Sequence, residues 1–155
     1  MAIEFKQSSI FGSTGTTGYT APNGSSRNGR INRVAGIVAN SLTALTGSRY
    51  LICQIPSSAI MLPESAIKTT GWGFAQATIG TPDLLTGLLD VAKATGGATG
   101  NKPITIFGAT WNKPIWQQLG LAADPGHPVD LVVSTATDAT VAGQIDFDLV
   151  FANHI

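Results

Sequence analysis

The chain has 155 residues, balances 9 Lys and Arg against 9 Asp and Glu, and is only 12% charged, where an ordinary soluble domain carries about 25%. That length suits one domain with a real core. The zero net charge speaks against nucleic acid as a partner, because phosphate needs a basic stripe, and the lone Cys53 excludes both an intrachain disulfide and a thiolate metal site.

The low charge leaves two readings. One is a soluble domain with a Ser, Thr and Asn surface. The other is a surface covered by copies of the chain itself or by a larger lattice, since an isolated globule draws solubility from charge. Met1 to Gln7 lacks a basic stretch followed by an apolar run, so no signal peptide is expected. No apolar stretch approaches the roughly 20 residues of a membrane helix, so no membrane partner is expected.

Residues 1–29 read as an extended, flexible N-terminal arm. From Gln7 to Gly29, Gly, Ser, Thr and Asn dominate, with isolated Ile10, Phe11 and Tyr19. Such a stretch buries too little apolar area to offset its ordering entropy. It is either a loose terminus or an arm whose large apolar residues anchor on a neighbour. Residues 30–155 read as one β-sandwich domain. Strand candidates run from Arg30 to Val38, Ser48 to Ile55 and Ala59 to Leu62, the last closed by Pro63. Ile67 to Ala77 reads as a further strand, with Trp72 and Phe74 on one side and Gly71 and Gly73 between. Leu84 to Val91 suits a strand or a short helix. Ala94 to Asn101 is a loop by composition, and Ile104 to Thr110 resumes a strand.

Lys113 to Leu121 suits one or two helical turns, with Asn112 able to cap and Pro114 fit for a first helical position. Asp124 to Pro128 is a loop. Val129 to Thr135 and Thr140 to Asn153 read as a closing hairpin joined by Ala136 to Ala139. In the second run Ile145, Phe147, Leu149 and Phe151 alternate with Gln144, Asp146, Asp148 and Val150, the mark of a strand with one buried face. The two aspartates would keep the outer face wet and discourage edge pairing. Many short strands and almost no helix predict an all-β, antiparallel β-sandwich, jelly-roll-like in form.

A search for chemistry finds little. The two histidines, His127 and His154, lie apart, one in a loop and one next to last. Neither has a nucleophile pattern beside it, and no catalytic residue is assigned. No metal or other cofactor is expected. Two isolated histidines make no zinc site, and Asp146 with Asp148 at i, i+2 suits a solvated strand face better than calcium. Gly12 to Gly18 lacks the Gly-Lys-Ser/Thr ending of a phosphate loop. Arg27, Arg30 and Arg33 form the only basic cluster and read as a solvated strand edge. Trp72, Trp111 and Trp116 suit core packing or, where exposed, interface anchors. With Ile10, Phe11 and Tyr19 they make up the candidate interface.

The stretch from Asn28 to Ile67 strings together Gly47-Ser48-x-Tyr50, Ile55-Pro56-Ser57-x-Ala59 and Leu62-Pro63-Glu64-Ser65. With Gly80 to Leu88 and the closing strands, it resembles small virion structural proteins of bacteriophages. Leu89-Asp90-Val91-Ala92-Lys93 departs from that outline, which expects acidic turn residues there. The resemblance implies a non-enzymatic capsid decoration or cement protein, made in the host cytoplasm and placed on the capsid surface of the virion. Its implied partners are the major capsid protein, other virion proteins and further copies of itself in a dimer or trimer. The alternative within the same fold is a carbohydrate- or receptor-binding jelly-roll module of the particle.

Overall fold

The computed structural model describes residues 3–7, 31–92, 100–103, 110 and 112–153. Ten strands and one short helix follow in order: β1 Phe5–Gln7, β2 Ile31–Asn40, β3 Arg49–Ile55, β4 Ile60–Met61, β5 Ala66–Thr70, β6 Gln76–Gly80, β7 Leu89–Ala92, β8 Gly100–Pro103, α1 Ile115–Gln118, β9 Val129–Ser134 and β10 Gly143–Ala152. They form two sheets, β1-β3-β9-β6-β7 and β2-β10-β5-β8, with β4 paired to the end of β10. Apart from β1 and β4, the eight remaining strands alternate between the sheets along the chain, save for the β6–β7 hairpin. Every pair among those eight is antiparallel. That strand order is a jelly roll, so the expected all-β sandwich is present.

Strand β10 anchors one sheet. Ile145, Phe147, Leu149 and Phe151 are buried while the residues between them are half-exposed. The alternation places the aspartates outward as expected, but β10 is no edge. It pairs with β2 along its whole length and with β5 and β4 on its other side. The closing hairpin is also absent, because β9 and β10 belong to opposite sheets. Residues 135–142 cross from one sheet to the other instead. Proximity in sequence predicted pairing; the roll requires consecutive strands to face each other across the core.

The run from Ile67 to Ala77 is likewise not one strand. It breaks at Gly71, whose φ is +58°, a conformation glycine adopts without a Cβ clash. The chain there passes against the start of β10. A Cβ on Gly143 would lie 2.0 Å from the Gly71 carbonyl oxygen, and one on Gly73 would lie 2.1 Å from the Val141 oxygen. β5 and β6 therefore lie in different sheets, with the crossing segment plugging the core between them. Leu84 to Val91 resolves into turns followed by β7. The helix starts behind Pro114 with no side-chain cap, and Asn112 sits at φ +57° instead of capping. The expected strand 104–110 and most of the loop 94–101 fall outside the described residues.

Strand β3 holds two consecutive buried residues, Ile52 and Cys53, because its register against β9 shifts between Leu51 and Cys53, as a β-bulge does. Burial raises the Cys53 thiol well above its ordinary range, with Asp130 adding to the effect. It is a small core hydrophobe, not a reactive thiol. The core's bulkiest cluster is Tyr50, Trp72 and Phe74, all at most 1% exposed. Trp72 meets Tyr50 edge-on at 5.6 Å between ring centroids and Phe74 at 5.1 Å. Its Nε1 donates to the Gln76 carbonyl at 3.0 Å.

Two outcomes test this core. Trp72→Ala is expected to cost about 3–5 kcal/mol in urea unfolding, and a loss below about 1 kcal/mol would contradict the packing described. Gly143→Ala, which must push backbone apart, is expected to lower the melting temperature even though it adds only a methyl group.

Candidate interaction surfaces

Among the described residues, no three or more His, Cys, Asp or Glu side chains converge on a possible metal position. His127 is exposed, with its Nδ1 2.9 Å from the Pro128 carbonyl. The outer face of the β10 sheet is internally paired. Arg33 donates from Nε and from its terminal nitrogen to the two Asp148 oxygens, and the guanidinium holds that carboxyl below its ordinary value. Gln144 donates to Asp146 at 2.8 Å. This face is a solvated, charge-balanced sheet surface.

The sandwich offers surfaces at its two ends. At the first end β2 turns into β3. Glu4 joins this turn to β1: its carboxylate accepts from the Ser41 backbone N–H at 3.2 Å and from the Tyr50 hydroxyl at 2.7 Å, and pairs with Lys6 at 2.9 Å. The Glu4 N–H in turn donates to Ser48 Oγ at 2.9 Å. Burial by itself would raise the Glu4 carboxyl, but the hydrogen bonds from Ser41, Lys6 and Tyr50 outweigh it and hold the pKa at about 2, against an ordinary 4.5. Burial, then the Glu4 charge, push the Tyr50 phenol upward.

These bonds fix an unusual strand. β1 runs parallel to β3, with Phe5 beside Arg49 and Gln7 beside Leu51. Ile3 and Phe5, on either side of Glu4, are 52% and 76% exposed. Leu42, next to Ser41, is 59% exposed, and Val141, whose carbonyl accepts from Asn40 Nδ2 at 2.8 Å, is 42% exposed. The end thus exposes Ile3, Phe5, Leu42 and Val141 beside these hydrogen bonds. Apolar groups grouped in this way mark contact surfaces.

At the second end lies an open cleft of about 610 Å³. Its lining comes from the end of β3 (Gln54), the turn after β6 (Thr81, Pro82, Asp83), the loop 121–128 and the start of β9 (Val129, Asp130). Helix α1 packs at the same end. The Ile115 N–H donates to the Ala59 carbonyl at 2.6 Å, and the Gln118 side chain bonds both polar atoms of the Met61 backbone.

The structure redistributes the tryptophans and other residues picked from sequence. Trp72 is not an interface anchor, because its ring fills the space between the sheets. Trp116 is half-buried on α1. Ile10, Phe11, Tyr19 and Trp111 lie outside the described residues. Within the expected arm, residues 5–7 pair into the sandwich as β1. The exposed Ile3, Phe5, Leu42 and Val141 were missed, although the alternation Ile3-Glu4-Phe5-Lys6 was a legible strand signal.

No protein-family model matches the sequence, and no curated protein is similar to it at a significant level. The fold is matched by two chains of known structure. One belongs to the "Cyanophage Pam1 capsid asymmetric unit", with TM-score 0.61, 17% identity, and 89% of this chain aligned to 95% of that one. The other belongs to the "Capsid of Ralstonia phage GP4", with TM-score 0.58, 13% identity, and 97% of this chain aligned to 99% of that one. At such identities the shared property is the jelly-roll fold, and it extends over nearly the whole of each chain.

The Glu4 network predicts an acid response with a definite sign. A carboxyl whose folded pKa is depressed stabilises the fold above its unfolded value and loses that contribution as pH falls. Unfolding midpoints should therefore drop between pH 4.5 and about pH 2. Glu4→Gln should flatten that part of the profile and speed hydrogen exchange of the β1 amides. An unchanged slope in Glu4→Gln would show that the acid response arises elsewhere.

Proposed function

We propose that this chain is a structural, non-enzymatic protein of a phage particle, one that decorates the capsid surface and cements it by bridging neighbouring coat subunits. The observation that carries the proposal is the end-to-end correspondence with chains of two phage capsids, 97% of this chain to 99% of the other in one case. Two surfaces at opposite ends of a rigid sandwich suit a bridge. A bridging protein gains its affinity from simultaneous weak contacts, each raising the effective concentration of the next. It stabilises only the assembled shell, because it binds that state and not the free subunits. The low charge and the exposed Ile3, Phe5, Leu42 and Val141 fit a surface that becomes covered.

The decisive measurement compares particles with and without this chain. Loss of the protein is expected to lower their thermal and osmotic stability, and readdition of purified chain to restore it. Undiminished stability in its absence would refute cementing. Phe5→Asp and Leu42→Asp should leave the isolated domain's stability within about 0.5 kcal/mol and weaken retention on particles about tenfold or more. Carbohydrate or receptor binding is the weaker reading, since one of its three tryptophans, Trp72, lies in the core.

A further inference from the structure

Strand β1 is attached to the sandwich differently from the rest of its sheet. β3, β9, β6 and β7 each put side chains into the core, among them Tyr50, Leu131, Ile79 and Leu89, whereas none of residues 3–7 belongs to it. Ile3 and Phe5 are exposed. What holds this segment is main-chain pairing along β3 and one polar socket. There the Ser41 N–H and the Tyr50 hydroxyl donate to the Glu4 carboxylate, and Ser48 Oγ accepts from the Glu4 N–H. The Arg49 N–H donates to the Glu4 carbonyl at 2.8 Å. A sheet edge captures a peptide in this way, with backbone bonds for affinity and a pocket for specificity.

The socket is built by the sandwich itself. Tyr50 is fixed in the aromatic cluster. Ser48 Oγ donates to the Leu45 carbonyl at 2.6 Å. Asn40 Nδ2 donates to the Ser41 carbonyl at 2.9 Å and to the Val141 carbonyl at 2.8 Å, which sets the turn that presents the Ser41 N–H. The groove along β3 is thus a ready receptor, and the ligand it fits is the sequence Ile3-Glu4-Phe5-Lys6-Gln7. Withdrawing that ligand takes no side chain from the core, so it can change hands without opening the sandwich. The same contacts form whether it comes from the same copy or from a neighbour, so proximity decides between them.

We infer that the groove along β3 takes residues 3–7 of a neighbouring copy of this chain when copies are crowded together, with Glu4 of one molecule seated on Ser41 and Tyr50 of the next. Each copy then gives one strand and accepts another. Ile3 and Phe5 are exposed on the donated strand, and Leu42 and Val141 are exposed beside the socket, so the exchange meets apolar surface on both molecules. The inference adds a link between copies to the proposed capsid role and does not depend on that role.

Disulfide trapping between mixed full-length chains is the experiment. One chain carries Phe5→Cys and the other Arg49→Cys. These positions are register partners, and neighbouring strands lie about 4.8 Å apart, within disulfide reach. Cys53 is buried and stays out of the reaction. Mixed, concentrated and oxidised with diamide, the two chains are expected to give a heterodimer joined through positions 5 and 49, at several times the yield of either homodimer. Adding Glu4→Gln to the donor chain should cut that yield several-fold. With both substitutions in one chain, a dilute sample should close the disulfide within the chain. A mixture that stays monomeric up to its solubility limit overturns the inference. So does a heterodimer no more abundant than the homodimers or unmoved by Glu4→Gln, since random collision gives both. A doubly substituted chain that fails to close overturns it as well, by removing the groove. Each of these results leaves the particle-stability test of the capsid role standing.

Discussion

The fold depends on a crossing. Between β5 and β6 the chain must leave one sheet and join the other within a few residues, and it does so by driving Trp72 and Phe74 into the gap beside Tyr50. The three rings fill the space between sheets at the end where β2 turns into β3. Glycines at 71, 73 and 143 let the crossing backbone touch the start of β10. Large rings inside and absent side chains at the contact are two halves of one packing solution, since an interior tolerates neither a void nor an overlap. The Tyr50 hydroxyl then leaves the cluster to bond Glu4, so the same ring that seals the core also holds β1 in place.

This coupling gives the two ends of the sandwich different characters. The first end is stiff: a buried aromatic cluster beneath, a carboxylate network above it, and apolar side chains on top. The second end is assembled from loops and strand ends around an open cleft, with Asp130 bonded to Gln54. Exposed apolar residues occur at both ends, Phe5 and Leu42 at the first and Ile31 and Leu84 at the second, and the cleft adds Asp83 and Asp130 to the second.

Much of the roll was legible in the sequence. The alternation of Ile145, Phe147, Leu149 and Phe151 marked β10, and the run Ser48 to Ile55 marked β3, which spans Arg49–Ile55. Their strand character follows from local periodicity, which the chain displays directly. What was not legible is which sheet each strand joins. The link Ala136 to Ala139 looks like a hairpin turn and is a crossover, because sheet membership is decided by contacts among residues far apart, such as Val38 with Ile145. The Gly71 break hid for a related reason, as two aromatics spaced by glycines mimic a strand face. The cleft was invisible since Gln54, Asp83, Leu121 and Asp130 share nothing in sequence and meet only when the ends of β3, β6 and β9 align. Core packing, the commoner role expected of the tryptophans, holds for Trp72, and the exposed apolar side chains include Phe5 and Leu42 instead.

The parallel pairing of β1 has a mechanical meaning. A force applied at Gln7 along the strand axis acts across the β1–β3 hydrogen bonds from the side, so they bear load together and cannot be peeled one by one. The Glu4 contacts to Ser41, Tyr50 and Ser48 lie behind that strand as a second fastening. Load arriving along β1 therefore reaches the sandwich in shear. A three-residue strand set parallel, where the rest of the roll is antiparallel, is thereby suited to serve as a tether point.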